Sequence, residues 1–391
     1  MITREQLREL ARFQSNGADC AVSFYMQPQT PRDKSHREES ILLKDLVRSA
    51  LLSIENHGKN GYMRADLERV LDWVSSLGGG PARARAVFAC GELNFWREFD
   101  LPPQLPASQL VINRRFHLKP LAMLLGAQSR LWLVLVDRHK ARFFDVRLDE
   151  LKEQEALFHP LPHRGRSDGY AGYDAGHSQR SVEDEVLHHF KNVAEHLKNM
   201  FEKKVFDDLI IGCQDKSWFE LEPHLHPYVK KRLLGRFSAD LASITLEEIR
   251  RQAARIQEQA LEERRHKLVR DVIGQAKSHS RGVTGLRRVL RSLELGEVQS
   301  LLVGNNYRAL AVECENCGHL DAHIVRWCPV CGRGTRELRD VCDAIIPAAI
   351  LRDIEMLYVK NEPEFDMAGN IAALLRFRAD QGSAGHMAAA S

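Results

Sequence analysis

The sequence has no apolar run that approaches the roughly 20 residues needed to cross a bilayer. Its first residues read Met-Ile-Thr-Arg-Glu-Gln-Leu-Arg-Glu, a polar helix start without the apolar stretch of a signal peptide. The Gly-Gly-Gly-Pro stretch at residues 78–81 lacks the lysine and Ser/Thr of a Walker phosphate-binding loop, so we interpret it as a helix terminator. We therefore expect a cytoplasmic protein with no membrane segment.

The sequence also has no large excess of charge of either sign. Lys and Arg number 56 against 53 Asp and Glu, which leaves a formal net charge of only +3. There is no global basic field that would demand nucleic acid, although local patches can still bind RNA. Charged residues at 28% and hydrophobic ones at 44% are ordinary for a soluble globular protein. A chain of 391 residues is expected to hold two or three domains.

The chain has eight cysteines, and their spacing does not form a disulfide framework. Cys20, Cys90 and Cys213 each lie in apolar, strand-like runs, where a lone thiol usually packs in the core. Cys342 has no evident assignment. This usage is typical of a protein in a reducing compartment.

The other four cysteines form two CxxCG motifs close together near the C-terminus. Each motif places two thiolates on one tight turn, and its glycine lets backbone N–H groups face sulfur. Four soft ligands at this spacing suit one tetrahedral zinc and leave no open position for catalysis. We predict a structural zinc ribbon over residues 314–331. Its ligands are Cys314, Cys317, Cys328 and Cys331.

Apolar strands alternate with amphipathic helices, which predicts three α/β domains in tandem, the last carrying the inserted zinc ribbon. The predicted boundaries are residues 1–125, 126–277 and 278–378, followed by a disordered tail at 379–391. In the middle domain, residues 131–136 and 141–146 predict a β-hairpin. A polar, glycine-rich loop at 161–181 precedes a long helix at 182–204, and later helices are predicted at 224–234 and 246–277.

Three sequence elements, the zinc motif and the segments on either side of it, occur in an order that is found in a known protein family. Residues 285–302 read GLRRVLRSLELGEVQSLL, a helix that ends at Gly296 and leads into a buried strand, and residues 369–377 read GNIAALLRF. This order resembles the C-terminal domain of the archaeal/eukaryotic-type class I peptide release factors and their stall-recognising relative Pelota. There, GLxxVLxxLxxGxVxxLL leads into a zinc ribbon and the domain ends on a GGIAALLRY-like strand. The chain thus resembles a divergent bacterial-type member of this superfamily.

The resemblance implies an N-terminal domain that faces the decoding centre, and the strand ending in Cys90-Gly91-Glu92 is similar to the family's. The family reads stop codons with a NIKS motif. Here the equivalent region offers only Asp33-Lys34-Ser35, so stop-codon reading is not supported.

In the family, the middle domain carries a Gly-Gly-Gln tip that positions water against the ester of peptidyl-tRNA. No Gly-Gly-Gln occurs in this sequence, and the nearest candidate tip is residues 175–179, Ala-Gly-His-Ser-Gln. Ala175 restricts φ where the family has glycine, and Gln179 falls two positions too late. Catalysis by the family mechanism is therefore not expected, which leaves His177 as an alternative general base.

The loop still has residues suited to RNA, because arginines can contact phosphates and tyrosines can stack on bases. The alternative is an exposed polar linker without function. The RNA-contact candidates are Arg164, Arg166, Tyr170, Tyr173, Gly176, His177, Gln179 and Arg180. A second basic cluster, at Arg287, Arg288 and Arg291, is either a solvated helix face or a phosphate contact.

The resemblance leads to one main hypothesis and two alternatives. The main hypothesis is a non-hydrolytic translation factor that binds the ribosomal A site, in stalled-ribosome recognition or in ribosome hibernation. The second is a factor that hydrolyses peptidyl-tRNA with a divergent loop. The third is an RNA-binding protein that acts away from the ribosome. The resemblance also implies an elongation-factor-type GTPase as partner, and we expect a monomer.

Overall fold

The computed structural model describes residues 2–15, 19–27, 37–55, 61–76, 84–101, 107–125, 130–147, 150–158, 174–360 and 362–378. The chain forms two compact units. One comprises Met1–Ala127 together with Arg265–Ser391, and the other comprises Gln128–Arg264. The first and last parts of the chain therefore share a unit, and the middle part forms its own.

The fold is mixed α/β, as predicted, with several sheets. The helices in the described residues are α1 (Arg4–Arg12), α2 (Arg37–Glu55), α3 (Gly61–Ser76), α4 (Lys119–Leu125), α5 (Asp174–Glu202), α6 (Asp215–Leu221), α7 (Pro227–Lys230), α8 (Leu246–Lys277), α9 (Leu286–Glu294), α10 (Cys342–Leu351) and α11 (Pro363–Met367). The strands there are β1 (Ala21–Met26), β2 (Ala84–Cys90), β3 (Phe95–Leu101), β4 (Gln109–Asn113), β5 (Leu131–Val136), β6 (Lys140–Arg147), β7 (Glu150–Phe158), β8 (Asp208–Gly212), β9 (Leu233–Phe237), β10 (Gly282–Thr284), β11 (Val298–Gly304), β12 (Ala311–Cys314), β13 (Leu320–Asp321), β14 (Thr335–Leu338), β15 (Glu355–Val359) and β16 (Ile371–Leu375).

The first sheet has the order β3-β2-β1-β4, and all its neighbouring strands are antiparallel. Successive side chains of a strand point to opposite faces, so the sheet contributes to two cores. Tyr25 and Phe88 enter one core, whereas Phe24 and Val87 enter the other. Helices α2 and α3 cover the second face.

The first face is covered by the other end of the chain. Leu10 of α1, Phe116 and Ile345 of α10 belong to one continuous hydrophobic cluster. The same cluster takes in Leu301 and Ala373 from the sheet of order β10-β16-β11-β15, in which β11 and β15 are parallel. The first and last parts of the chain thus complete one core together.

The middle unit contains a sheet of order β7-β6-β5-β8-β9. Strands β5, β6 and β7 are antiparallel neighbours, whereas β5, β8 and β9 run parallel. Leu131 pairs with Val146 in the β5–β6 hairpin, which confirms that prediction. Helix α5 packs on one face of the sheet, and the first part of α8 packs on the other. Helix α8 has the predicted bounds.

Two predicted helices differ from the structure. The helix expected at residues 224–234 is wrong over its second half, because α7 ends at Lys230 and Leu233–Phe237 forms the edge strand β9. Strand β9 pairs with β8 along its length, and that sheet pairing outweighs the local helical pattern. The long helix expected from residue 182 instead begins at Asp174. Residues 174–181 contain one glycine and no proline. One glycine lowers the stability of a helix by about 1 kcal/mol relative to alanine, which a long helix tolerates.

The described helices do not include one that is both long and apolar enough to span a membrane.

Glu313 makes the ion pair that we expect to matter most for the stability of the first unit. Arg115 donates to both its carboxylate oxygens, at 2.6 and 3.0 Å, and Arg336 adds a third contact at 3.2 Å. Only 8% of the Glu313 side chain is exposed. We predict that Glu313→Ala lowers the free energy of unfolding by about 3 kcal/mol, because within the described residues it leaves Arg115 without a carboxylate partner and Arg336 with only its longer pair to Asp19 at 3.6 Å. Urea denaturation measures this change in the free energy of unfolding.

The control is Glu68→Ala, which removes an exposed carboxylate paired with Arg64 one helical turn away. That pair is worth at most about 0.5 kcal/mol, so the midpoint should barely move. Equal losses in the two variants would contradict a structural role for the Arg115–Glu313 pair.

Candidate functional site

The cysteines of the two CxxCG motifs come together beside a small sheet of order β13-β12-β14. Strand β12 ends at Cys314, where it pairs with Thr335 of β14. On its other side Glu313 pairs with Leu320 of β13, so the chain must turn back sharply within the first motif. The second motif lies in the segment between β13 and β14. The sheet therefore fixes both motifs at one end.

The two motifs have the same turn geometry. In each, the glycine N–H donates to the carbonyl of the first cysteine, from Gly318 to Cys314 at 3.1 Å and from Gly332 to Cys328 at 2.9 Å. Gly318 and Gly332 have φ values of +72° and +70°, a left-handed conformation that costs little only for glycine. This explains why each motif ends in glycine.

The sulfur atoms are spaced as a tetrahedral metal site requires. Sγ of Cys314 lies 3.4 Å from Sγ of Cys331, and Sγ of Cys317 lies 3.7 Å from Sγ of Cys328. All four sulfurs lie within 4.8 Å of one another. A metal–sulfur bond of about 2.3 Å gives tetrahedral S···S separations of about 3.8 Å. The four thiols thus form a cluster that can bind a metal ion.

Backbone N–H groups favour the thiolate at the centre of this cluster. The N–H of Cys317 and that of Asn316 both point at Sγ of Cys314 at 3.4 Å, and they lower the pKa of Cys314 to about 6. At Cys317 a backbone hydrogen bond with His319 lowers the pKa, but burial and the neighbouring sulfurs outweigh it and raise the pKa to about 12. A metal cation bound between the sulfurs favours the thiolate form of its cysteine ligands.

The loop predicted to contact RNA is described only at its end. Arg164, Arg166, Tyr170 and Tyr173 lie outside the described residues. The remaining candidates lie within the first two turns of α5, since that helix begins at Asp174. They are Gly176, His177, Gln179 and Arg180. The predicted loop at 161–181 is therefore wrong over its last eight residues, which are helical.

A basic cavity of about 610 Å³ lies beside α9 in the first unit. Its lining includes Arg288 and Arg291, which are one helical turn apart, together with Arg378 and His279. Arg378 donates to the carbonyl of His279, whereas Arg288 and Arg291 are exposed. The structure therefore places Arg378 in the same cavity as Arg288 and Arg291, two of the three arginines in the basic cluster predicted from the sequence.

Cys20 and Cys90 are buried in the core, as predicted from the sequence, and the structure also places them in contact. Their sulfur atoms lie 3.0 Å apart, and Sγ of Cys20 is 3.3 Å from a carboxylate oxygen of Glu92. Both thiols are buried, and burial raises the pKa of Cys20 well above its ordinary value. The contact between the two thiols could not be predicted from the sequence, because it depends on the antiparallel pairing of β1 with β2, which places Ala89 opposite Val22 and so brings Cys90 beside Cys20.

Residues 117–265 match the model of bacterial archaeo-eukaryotic release factor family 10. Among curated proteins, the chain is similar to peptide chain release factor subunit 1 of Pyrococcus abyssi (strain GE5 / Orsay), with 25% identity over 68% of this chain and 70% of the relative. The same factor from Archaeoglobus fulgidus is 22% identical over 97% of this chain and 98% of the relative.

Two solved structures overlap nearly the whole chain. An archaeal translation termination factor is 17% identical and covers 96% of this chain and 99% of its own, with a TM-score of 0.25. The Pelota of Archaeoglobus fulgidus is 13% identical and covers 96% of this chain and 93% of its own, with a TM-score of 0.36. Such scores do not establish a common arrangement of domains. The family model over residues 117–265 and the similarity to the curated relatives support a bacterial archaeo-eukaryotic release factor-like protein.

Proposed function

We propose that the protein binds the ribosome in the A site, much as a tRNA does, and that it does not hydrolyse peptidyl-tRNA. Its role would be recognition of stalled ribosomes or ribosome hibernation. One observation carries the proposal: the chain is similar to peptide chain release factors along most of its length, yet it contains no Gly-Gly-Gln.

The position of Gly176 supports the non-hydrolytic role. Two adjacent glycines are useful at a catalytic tip because they adopt backbone angles closed to other residues. Here a single glycine lies within α5, where the backbone takes ordinary helical angles that alanine adopts as well. Gln179 lies on the same helix, one turn further on. The segment thus lacks the backbone freedom that the family's reaction requires.

The basic cavity beside α9 supports binding to ribosomal RNA. Exposed guanidinium groups such as those of Arg288 and Arg291 suit phosphate oxygens, because each presents several donors in a planar fork. Arg378 lines the same cavity and adds a third positive charge. Neutralising phosphates releases counterions from the RNA, so such contacts contribute affinity without reading sequence.

The four-cysteine cluster supports a structural zinc. Thiolate sulfur is a soft donor that zinc accepts, and the four ligands close the coordination shell. Zinc would hold the two CxxCG turns against the β13-β12-β14 sheet, and it would take no part in chemistry. We further propose an elongation-factor-type GTPase as partner and a monomeric, cytoplasmic protein, both expectations that follow from the family.

Ribosome binding is tested by co-sedimentation with ribosomes that carry a P-site peptidyl-tRNA. We expect binding when the A site is vacant and its loss when tRNA fills the A site. Arg288→Glu combined with Arg291→Glu should weaken binding at least tenfold and lower the slope of log affinity against log salt by about 2. No binding in either ribosomal state would contradict the proposal, and binding to structured RNA alone would favour a role away from the ribosome.

A control for this experiment is the pair Arg250→Glu and Arg251→Glu. These arginines lie on α8 in the other unit, are exposed, and pair with Glu247 and Glu248. The control changes the net charge by the same amount. If it weakens binding as strongly as the α9 variant, the effect is one of overall charge, and the cavity is not the contact.

Peptide release separates the two ribosomal alternatives. We expect no release of labelled peptide from P-site peptidyl-tRNA above the rate without protein, and no change in Gly176→Ala or Gln179→Ala. Alanine at position 176 should also leave the helical content of α5 intact, as circular dichroism can show. Release by the unaltered protein that both substitutions abolish would establish the hydrolytic alternative instead.

Metal content tests the zinc site. We expect one zinc per chain in the purified protein, loss of zinc in Cys328→Ser, and a lower melting temperature both in that variant and after chelation. Cys213→Ser, which removes a buried thiol from the other unit, should keep its zinc. Zinc retained by Cys328→Ser, or another metal in its place, would contradict this assignment.

A further inference from the structure

A second cavity in the first unit, of about 370 Å³, lies between the start of α4 and the turn that follows β11. This volume falls at the lower end of the range for small-molecule sites. Its polar lining comes from both ends of the chain. The residues that carry the argument are His117, Lys119, Asn305, Asn306, Arg308 and Asp340.

His117 is held rigidly in the wall of this cavity. Its N–H donates to Oγ of Ser23 at 2.9 Å, and its carbonyl accepts from the hydroxyl of Tyr25 at 2.5 Å. Nδ1 lies 2.7 Å from a carboxylate oxygen of Asp343, whose other oxygen accepts from Asn113 at 2.8 Å. The carboxylate places the proton on Nδ1.

The second ring nitrogen of His117, Nε2, is available to a ligand. Nε2 of His117 has no hydrogen-bond partner among the described residues, although only 8% of the side chain is exposed. Since His117 lines the cavity and its ring is held in place by Asp343, this nitrogen is available to a group that enters the cavity.

Lys119 places a positive charge beside His117. The residue is 8% exposed, and its ammonium donates to the carbonyl of Tyr307 at 2.9 Å. No carboxylate of the described chain lies within ion-pair distance of that ammonium. A neutral carbonyl does not balance a buried charge, which is usually paired. An anion in the cavity would supply the missing counter-charge.

The remaining wall adds a second cation and an unpaired acceptor. Arg308 is exposed at the cavity and makes no ion pair in the described residues. Oδ1 of Asn305 is buried and has no hydrogen-bond partner among the described residues, so it can accept from a donor of the ligand. The one carboxylate in the lining, that of Asp340, accepts from the N–H of Cys342 at 3.0 Å. Pro120 and Met123 form an apolar side.

We propose that this cavity binds a mononucleotide. Lys119 and Arg308 would hold the phosphate, with His117 as a further contact. The unpaired Asn305 oxygen would accept from a sugar hydroxyl or an exocyclic amine, and the apolar side would face the base. The proposal is independent of ribosome binding. Because the lining comes from both ends of the chain, the ligand would stabilise the first unit in proportion to its occupancy.

Isothermal titration calorimetry of the full chain with AMP, GMP, inorganic phosphate and citrate tests this proposal, with thermal unfolding in parallel. We expect at least one nucleotide to bind and raise the melting temperature, and to bind at least tenfold more tightly than inorganic phosphate or citrate. Arg308→Ala should weaken that binding at least tenfold. Arg12→Ala, which removes an exposed arginine from α1, should leave it unchanged.

His117 provides a second readout that does not depend on a substitution in the wall. Its imidazole nitrogen resonances should shift when the nucleotide is added, and a His117→Asn variant would assign the signal. Absence of binding by both nucleotides would overturn the proposal. So would inorganic phosphate or citrate that binds as tightly as the nucleotide, or equal affinities in Arg308→Ala and Arg12→Ala.

Discussion

Three successive residues, Arg115, Phe116 and His117, hold the first part of the chain to the last. Phe116 is fully buried in the shared core, where its ring stacks on Phe13 with centroids 4.2 Å apart. Its two neighbours face polar partners that lie 198 and 226 residues further along the chain. Burial supplies the energy of this contact, whereas the Arg115–Glu313 ion pair and the His117–Asp343 hydrogen bond specify its register, because a buried charge or polar group without its partner is costly.

The packing of the rest of the first unit depends on this contact between the first and last parts of the chain. One face of the first sheet packs against α2 and α3, and the other faces a core that α1 and α10 share. The four-cysteine cluster depends on it less, since the contacts of its sulfur atoms lie within residues 314–331. The cysteine cluster is thus a local source of order, whereas the shared core is a long-range one.

This difference decides what the sequence could reveal. The cysteine cluster was predictable to the residue, because ligand spacing and the terminal glycines of each motif are local properties. The hairpin of β5 and β6 and the bounds of α8 were predictable for the same reason, as each depends on a local pattern. The pairing of Cys20 with Cys90 was not, because it depends on strand register across the first sheet.

The cavity beside His117 shows the same limit more strongly. No short motif joins His117 to Asp343, and Lys119 resembles any other lysine until its burial is known. The resemblance to release factors gave the broad class from patterns in the last 110 or so residues. It could not give the backbone of residues 174–181, where α5 extends into the segment that the sequence predicts as a loop.

The shared core also affects how the protein is made. Asp343 and its neighbours in α10 are synthesised 226 residues after His117, a delay of roughly 10–45 s at ordinary rates of translation. The middle unit has its contacts within residues 128–264, so it can fold during that interval. The hydrophobic cluster that contains Tyr25 and Phe88 is completed only by residues from the last part of the chain. The nascent chain therefore carries this core in an incomplete form for most of its synthesis.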